Sequence, residues 1–145
     1  MLSSLALETT STAAQLRVVI TRTARRLRQE AGADLSPSQT AALATIERRG
    51  PLTPSELAQY ERIQRPTATR VLARLEEAGL VTRAADPADG RSSLVSLSRD
   101  GRALLERVRT RKDAFLAQRL DRLDTADRAT LERAADILER LLEDE

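Results

Sequence analysis

The residues with the most chemistry to offer are arginines. Between Arg62 and Arg74 the chain carries four of them, Arg62, Arg65, Arg70 and Arg74, and no acid. A guanidinium is a planar fork of donors that matches a phosphate group or the O6/N7 edge of guanine. A further one, Arg91, follows Asp89-Gly90 in a stretch rich in turn-forming residues. The opposite charge collects elsewhere: residues 121–145 hold nine acids against four arginines. The net charge of +2 says little by itself, and its segregation says more.

The missing residue types narrow the field further. None of the 145 residues is cysteine or histidine. This excludes disulfides, thiol redox chemistry, Cys/His zinc sites and any His-dependent triad. There is no glycine-rich phosphate loop, and no pair of carboxylates falls on a convincing shared face. The chain therefore does not read as an enzyme, and no cofactor or metal is expected. No uncharged run approaches the length of a membrane span, and residues 1–12 carry no basic export signal. The expectation is a cytoplasmic protein with no membrane partner. Tyr60 and Phe115 are the only aromatics, so the core must come from Leu, Val, Ile and Ala. Such a composition, rich in charge as well, points to a mainly α protein.

The arginines need elements to present them, and the chain punctuates these clearly. A long helix is expected from Glu8 to Ala31, with Leu16, Val19, Ile20 and Leu27 at helical spacing and Gly32 as its stop. Ser36-Pro37-Ser38-Gln39 and Thr53-Pro54-Ser55-Glu56 are two capping boxes, each with Pro in the first turn. They start helices ending near Arg48 and Tyr60. A third start follows at Pro66, and Gly79 closes that run. Two short helices joined by a tight turn form a helix-turn-helix. Leu80 to Arg83 and Ser92 to Leu97 then read as strands of a small β-hairpin around a turn-rich loop. Ser98 caps a helix to about Leu123, and Asp124 caps a last one to about Leu142.

On a helical wheel of about 100° per residue, the run from Arg65 to Glu77 separates into two faces. Ala68, Val71, Leu72 and Leu75 gather on the packing side. Pro66, Thr69, Arg70, Ala73 and Arg74 lie opposite, bordered by Arg65 and Thr67. Small side chains allow close approach to a major groove, Thr methyls can touch thymine, and Arg can fork to guanine or reach a phosphate. Glu76 and Glu77 fall at the far end. For any single arginine a solvated position is the plainer reading. The capping boxes, tight turn, hairpin and charge segregation together favour DNA. At the hairpin tip Arg91 is placed to enter a minor groove, and Asp89 either orients its guanidinium or ties down the turn. Asp86 reads as a turn residue.

These residues resemble the MarR family of transcription regulators. The run from Gln64 to Arg83 is similar to that family's recognition helix and first wing strand. The run from Asp86 to Ser98 resembles its wing, including the Asp-x-Arg element of Asp89 and Arg91. The resemblance implies a winged helix-turn-helix joined to a helical dimerisation module. It implies a homodimer in which the first and the last two helices interlock, bound to a pseudo-palindromic operator as a repressor. It also implies release by a small, often aromatic, anionic effector. Two departures stand out: Gln64 occupies an N-cap position often held by Ser, and the absence of Cys excludes the family's thiol sensors.

The domain reading is residues 1–34 as the first helix of the dimerisation module, 35–98 as the DNA-binding domain, and 99–145 as the helices completing the module. Leu16, Val19 and Ile20 at one end, and Leu131, Ile137, Leu138 and Leu141 at the other, are the expected dimer contacts. An intramolecular bundle is the alternative for these. Two rival functions remain open on sequence: a winged-helix scaffold for other proteins, which a neutral or acidic helix face would favour, and a DNA-binding regulator that answers to no ligand.

Overall fold

Helix α1 (Leu2–Ala31) opens the computed structural model, which describes residues 2–32 and 34–143. Met1, Asp144 and Glu145, which bound the expected terminal segments, lie outside the described residues, as does Ala33. The helix begins six residues before the expected Glu8. No Gly or Pro interrupts this stretch, and its threonines do not compete with the helix. Thr9, Thr10 and Thr12 instead donate their hydroxyls to the carbonyls of Leu5, Ala6 and Glu8, one turn back. Gly32, at φ 65°, ends it.

Both capping boxes form. Gln39 N donates to Ser36 Oγ at 3.1 Å while Ser36 N donates to Gln39 Oε1 at 2.8 Å, starting α2 (Pro37–Arg49). Glu56 N donates to Thr53 Oγ1 at 3.2 Å and Thr53 N to Glu56 Oε1 at 3.1 Å, starting α3 (Pro54–Glu61). Arg62 then takes the left-handed conformation, φ 53°, and Ile63 N reaches back to Ala58 O at 3.0 Å. This is the tight turn into α4 (Arg65–Glu77), whose N-cap residue Gln64 makes no side-chain cap bond.

Strands β1 (Val81–Ala85) and β2 (Ser93–Leu97) pair antiparallel, from Val81 opposite Leu97 to Ala85 opposite Ser93. The first strand runs two residues past the expected Arg83. Ala84 and Ala85, small and without a turn signal, continue the ladder opposite Leu94 and Ser93. Leu52 adds a one-residue bridge to Val95, its N–H donating to Val95 O at 3.1 Å and its O accepting from Val95 N at 2.7 Å. Helix α5 (Arg99–Leu120) ends three residues before the expected Leu123. Residues 121–123 form a turn instead, and Asp124 Oδ1 accepts from Asp127 N at 2.7 Å to start α6 (Thr125–Glu143).

The core lies where α2, α3, α4 and the hairpin meet. Leu43, Leu52, Leu57, Leu72, Leu75 and Val95 are sealed from solvent there. Leu105 of α5 joins this core, and α1 packs chiefly along α5. Helix α6 buries none of its residues. The fold is thus mainly helical with a two-stranded wing.

Candidate nucleic-acid interface

Helix α4 sits with one face in the core and the other in solvent, as the wheel requires. Ala68, Leu72 and Leu75 are buried, and Val71 is half-buried against the same cluster. Arg65, Pro66, Thr69, Arg70 and Arg74 are exposed, and Thr67 is half-buried at the border. The guanidiniums of Arg65, Arg70 and Arg74 have no carboxylate partner among the described residues. Three free cations on one small-sided face are suited to a polyanion.

The structure adds a feature that periodicity within α4 does not reveal. A shallow groove runs beside this face, lined by Thr67, Arg70 and Arg74 on one side and by Ser36, Ser38 and Gln39 on the other. The N-terminal turn of α2 therefore flanks the arginines. The two segments lie some thirty residues apart in the chain, and only the packing of α2 on α4 joins them.

The wing tip is held by its aspartates. Asp86 Oδ1 accepts from Ala88 N at 2.9 Å, and Asp89 Oδ1 accepts from Arg91 N at 3.0 Å. Asp86 N donates to Ser92 O at 3.1 Å, and Ser92 N to Asp89 O at 3.0 Å. Of the two roles open to Asp89, the geometry shows the second: it binds the Arg91 backbone and fixes the turn. The Arg91 side chain is left exposed at the tip, without an ion pair among the described residues.

Behind the tip, Arg83 on β1 donates from Nε to Glu76 Oε2 at 2.6 Å and from Nη1 to Ser93 Oγ at 3.4 Å. Glu76 thus has a partner in the wing, where the sequence places it only at the far end of α4. The expected dimer residues lie apart from this surface, on α1 and α6. Leu16, Val19, Ile20, Leu131, Ile137 and Leu141 are 40–62% exposed, while Leu138 is half-buried. Among the described residues no cluster of acids could hold a metal ion, and no helix is long and apolar enough to cross a membrane.

The chain is similar to known transcriptional regulators. The model of the MarR family matches residues 35–93. An HTH-type transcriptional regulator of Mycobacterium bovis is 38% identical over 133 residues, covering 91% of this chain and 93% of its own length. The multiple antibiotic resistance protein MarR of Salmonella typhimurium is 37% identical over 100 residues, covering 68% of this chain and 69% of its own. The crystal structure of a putative transcriptional regulator from Pseudomonas aeruginosa superposes with a TM-score of 0.84 at 39% identity, covering 93% of this chain and 96% of that one.

Proposed function

This chain belongs to the MarR family of DNA-binding transcriptional regulators, and from that membership we propose that it acts in the cytoplasm as a homodimeric repressor released by a small aromatic anion. The observation that carries the DNA-binding surface is the α4 face. Arg65, Arg70 and Arg74 stand exposed and unpaired beside Pro66, Thr67 and Thr69. In this reading α4 enters the major groove, Arg70 and Arg74 read base edges or phosphates, and Arg91 reaches the adjacent minor groove. Residues 35–98 form the DNA-binding domain, and 1–34 with 99–145 form the dimerisation module. A basic face of this kind argues against a scaffold that docks other proteins.

The homodimer rests on uncovered apolar surface. Helix α6 presents Leu131, Ile137 and Leu141 exposed, with Leu138 half-buried and no residue sealed against the chain's own body. Helix α1 presents Leu5, Leu16, Val19 and Ile20, all exposed. Surface of this extent marks an interaction site in a soluble protein. A second copy supplies the matching helices. A crevice of about 620 Å³ between α1 and α5, floored by Val19, Phe115 and Leu116, lies on this same side of α1.

For the effector, a crevice of about 300 Å³ lies where α1, α2 and α5 meet. Leu27, Ala41 and Ala44 give it apolar walls, and Arg28 and Lys112 supply cations. That composition suits a small aromatic carboxylate. The test is a titration of labelled duplex DNA, repeated with hydroxybenzoates present. Two chains per duplex and release by the anion are the expected results. One chain per site contradicts the dimer, and binding unchanged by every phenolic acid contradicts the effector.

A further inference from the structure

We propose that Arg83 is a positioning residue that locks the wing to the recognition helix, so that the two reach their grooves in register. The proposal rests on the reading that α4 and Arg91 both touch DNA.

The hairpin is anchored firmly at its base and lightly toward its tip. At the base, Val95 exchanges two backbone bonds with Leu52, and the Ser98 hydroxyl donates to Gly79 O at 2.6 Å. Beyond the Val95 position the turn from Asp86 to Ser92 bonds only within itself among the described residues. A two-stranded ribbon with one anchored end can twist about that end, because an isolated hairpin has little stability of its own. Arg83 opposes this twist. It pairs with Val95 across the ladder, and Ser93 is the diagonal neighbour on the same face. One guanidinium therefore ties both strands to the last turn of α4. Its Nε holds Glu76 Oε2 at 2.6 Å, and its Nη1 reaches Ser93 Oγ at 3.4 Å. The Arg83 side chain is 27% exposed, and the planar fork fixes direction as well as distance.

The rival role for Arg83 is a direct phosphate contact, and the two roles differ in sign at Glu76. Removing a negative charge beside DNA ordinarily strengthens binding. If Arg83 acts as a strut, Glu76→Gln weakens binding instead, because the wing loses its hold on α4. An exposed ion pair of this kind carries a factor of about two to five in an equilibrium constant.

The experiment is a double-mutant cycle on the full chain, with affinity for a duplex read by fluorescence anisotropy, minor-groove protection by hydroxyl-radical footprinting and major-groove protection by methylation of guanine N7 with dimethyl sulfate. The four proteins are the parent, Glu76→Gln, Arg91→Ala and the double variant. The expected result is weaker binding by Glu76→Gln, with minor-groove protection opposite the wing lost and major-groove protection retained. Its effect should largely vanish in the Arg91→Ala background, since a wing without its contact has nothing left to position. Binding by Glu76→Gln equal to or tighter than the parent overturns the strut, and so do two losses that simply multiply. Arg91→Ala binding like the parent overturns the wing reading itself and the strut with it, so the two failures are distinct.

Discussion

The Ser98 hydroxyl donates to the Gly79 carbonyl at 2.6 Å and accepts from Gly101 N at 2.9 Å. One side chain thereby joins the end of α4 to the first turn of α5. Ser98 N also donates to Leu80 O at 3.0 Å. The link lies between the proposed DNA-reading face and the proposed dimerisation helices. It fixes the direction in which α5 leaves the domain.

Ser98→Ala removes the N-cap of α5 and the Gly79 bond together. Loss of a helix cap of this kind costs about 0.5–2 kcal/mol. The expected result is a lower urea midpoint with an unchanged slope, measured by circular dichroism. A midpoint equal to the parent's contradicts the assignment.

The same junction makes Gly101 irreplaceable for reasons of space. A Cβ added there would stand 2.0 Å from Leu80 O, a backbone atom that cannot swing aside. Gly101→Ala is expected to destabilise by about 1–3 kcal/mol, the usual effect of overpacking. Gly79→Ala meets no neighbouring atom, but strains its φ of 74°. Thermal unfolding of both variants checks the pair, and an unchanged Tm for Gly101→Ala would contradict the close approach.

Local devices were legible in the sequence, and long-range ones were not. The capping boxes at Ser36 and Thr53 formed as expected because each is complete within four residues. The α4 faces followed from spacing alone, since Leu72 and Leu75 leave one way for the helix to pack. Sequence leaves two roles open to Asp89, and only the bond from the Arg91 backbone to its carboxylate separates them. The bridge from Leu52 to Val95 is a single residue long and leaves no alternating pattern. The tie from Arg83 to Glu76 depends on where the hairpin folds back, and the groove beside Ser36 depends on how α2 crosses α4. Helix α1 starts before Glu8, and the hydroxyls of Thr9, Thr10 and Thr12, each bonded one turn back, leave no mark in the apolar spacing.

Arg70→Ala and Arg91→Ala should affect DNA binding differently. The first is expected to lose about 1–3 kcal/mol and relax the sequence preference at one position. The second should lower affinity similarly on all sequences and reduce the salt slope by about one phosphate equivalent. Anisotropy titrations at several salt concentrations separate the two. Equal slopes and unchanged preference in both variants would count against the interface.

Charge placed on the α6 stripe tests the dimer without touching the core. Because Leu131 and Leu141 are exposed on a helix with no sealed residue, Leu131→Asp with Leu141→Asp should leave the chain folded. Light scattering is expected to show a monomer where the parent is a dimer, with weaker operator binding to match. A variant that remains dimeric would place the interface elsewhere.

Selection of bound duplexes from a random pool tests the central claim most directly. The account predicts enrichment of a pseudo-palindrome with half-sites one helical turn apart, about 34–36 Å, lost in Arg70→Ala. A pool that enriches no sequence, or a single half-site without its inverted repeat, would contradict a dimer that reads DNA through the exposed face of α4.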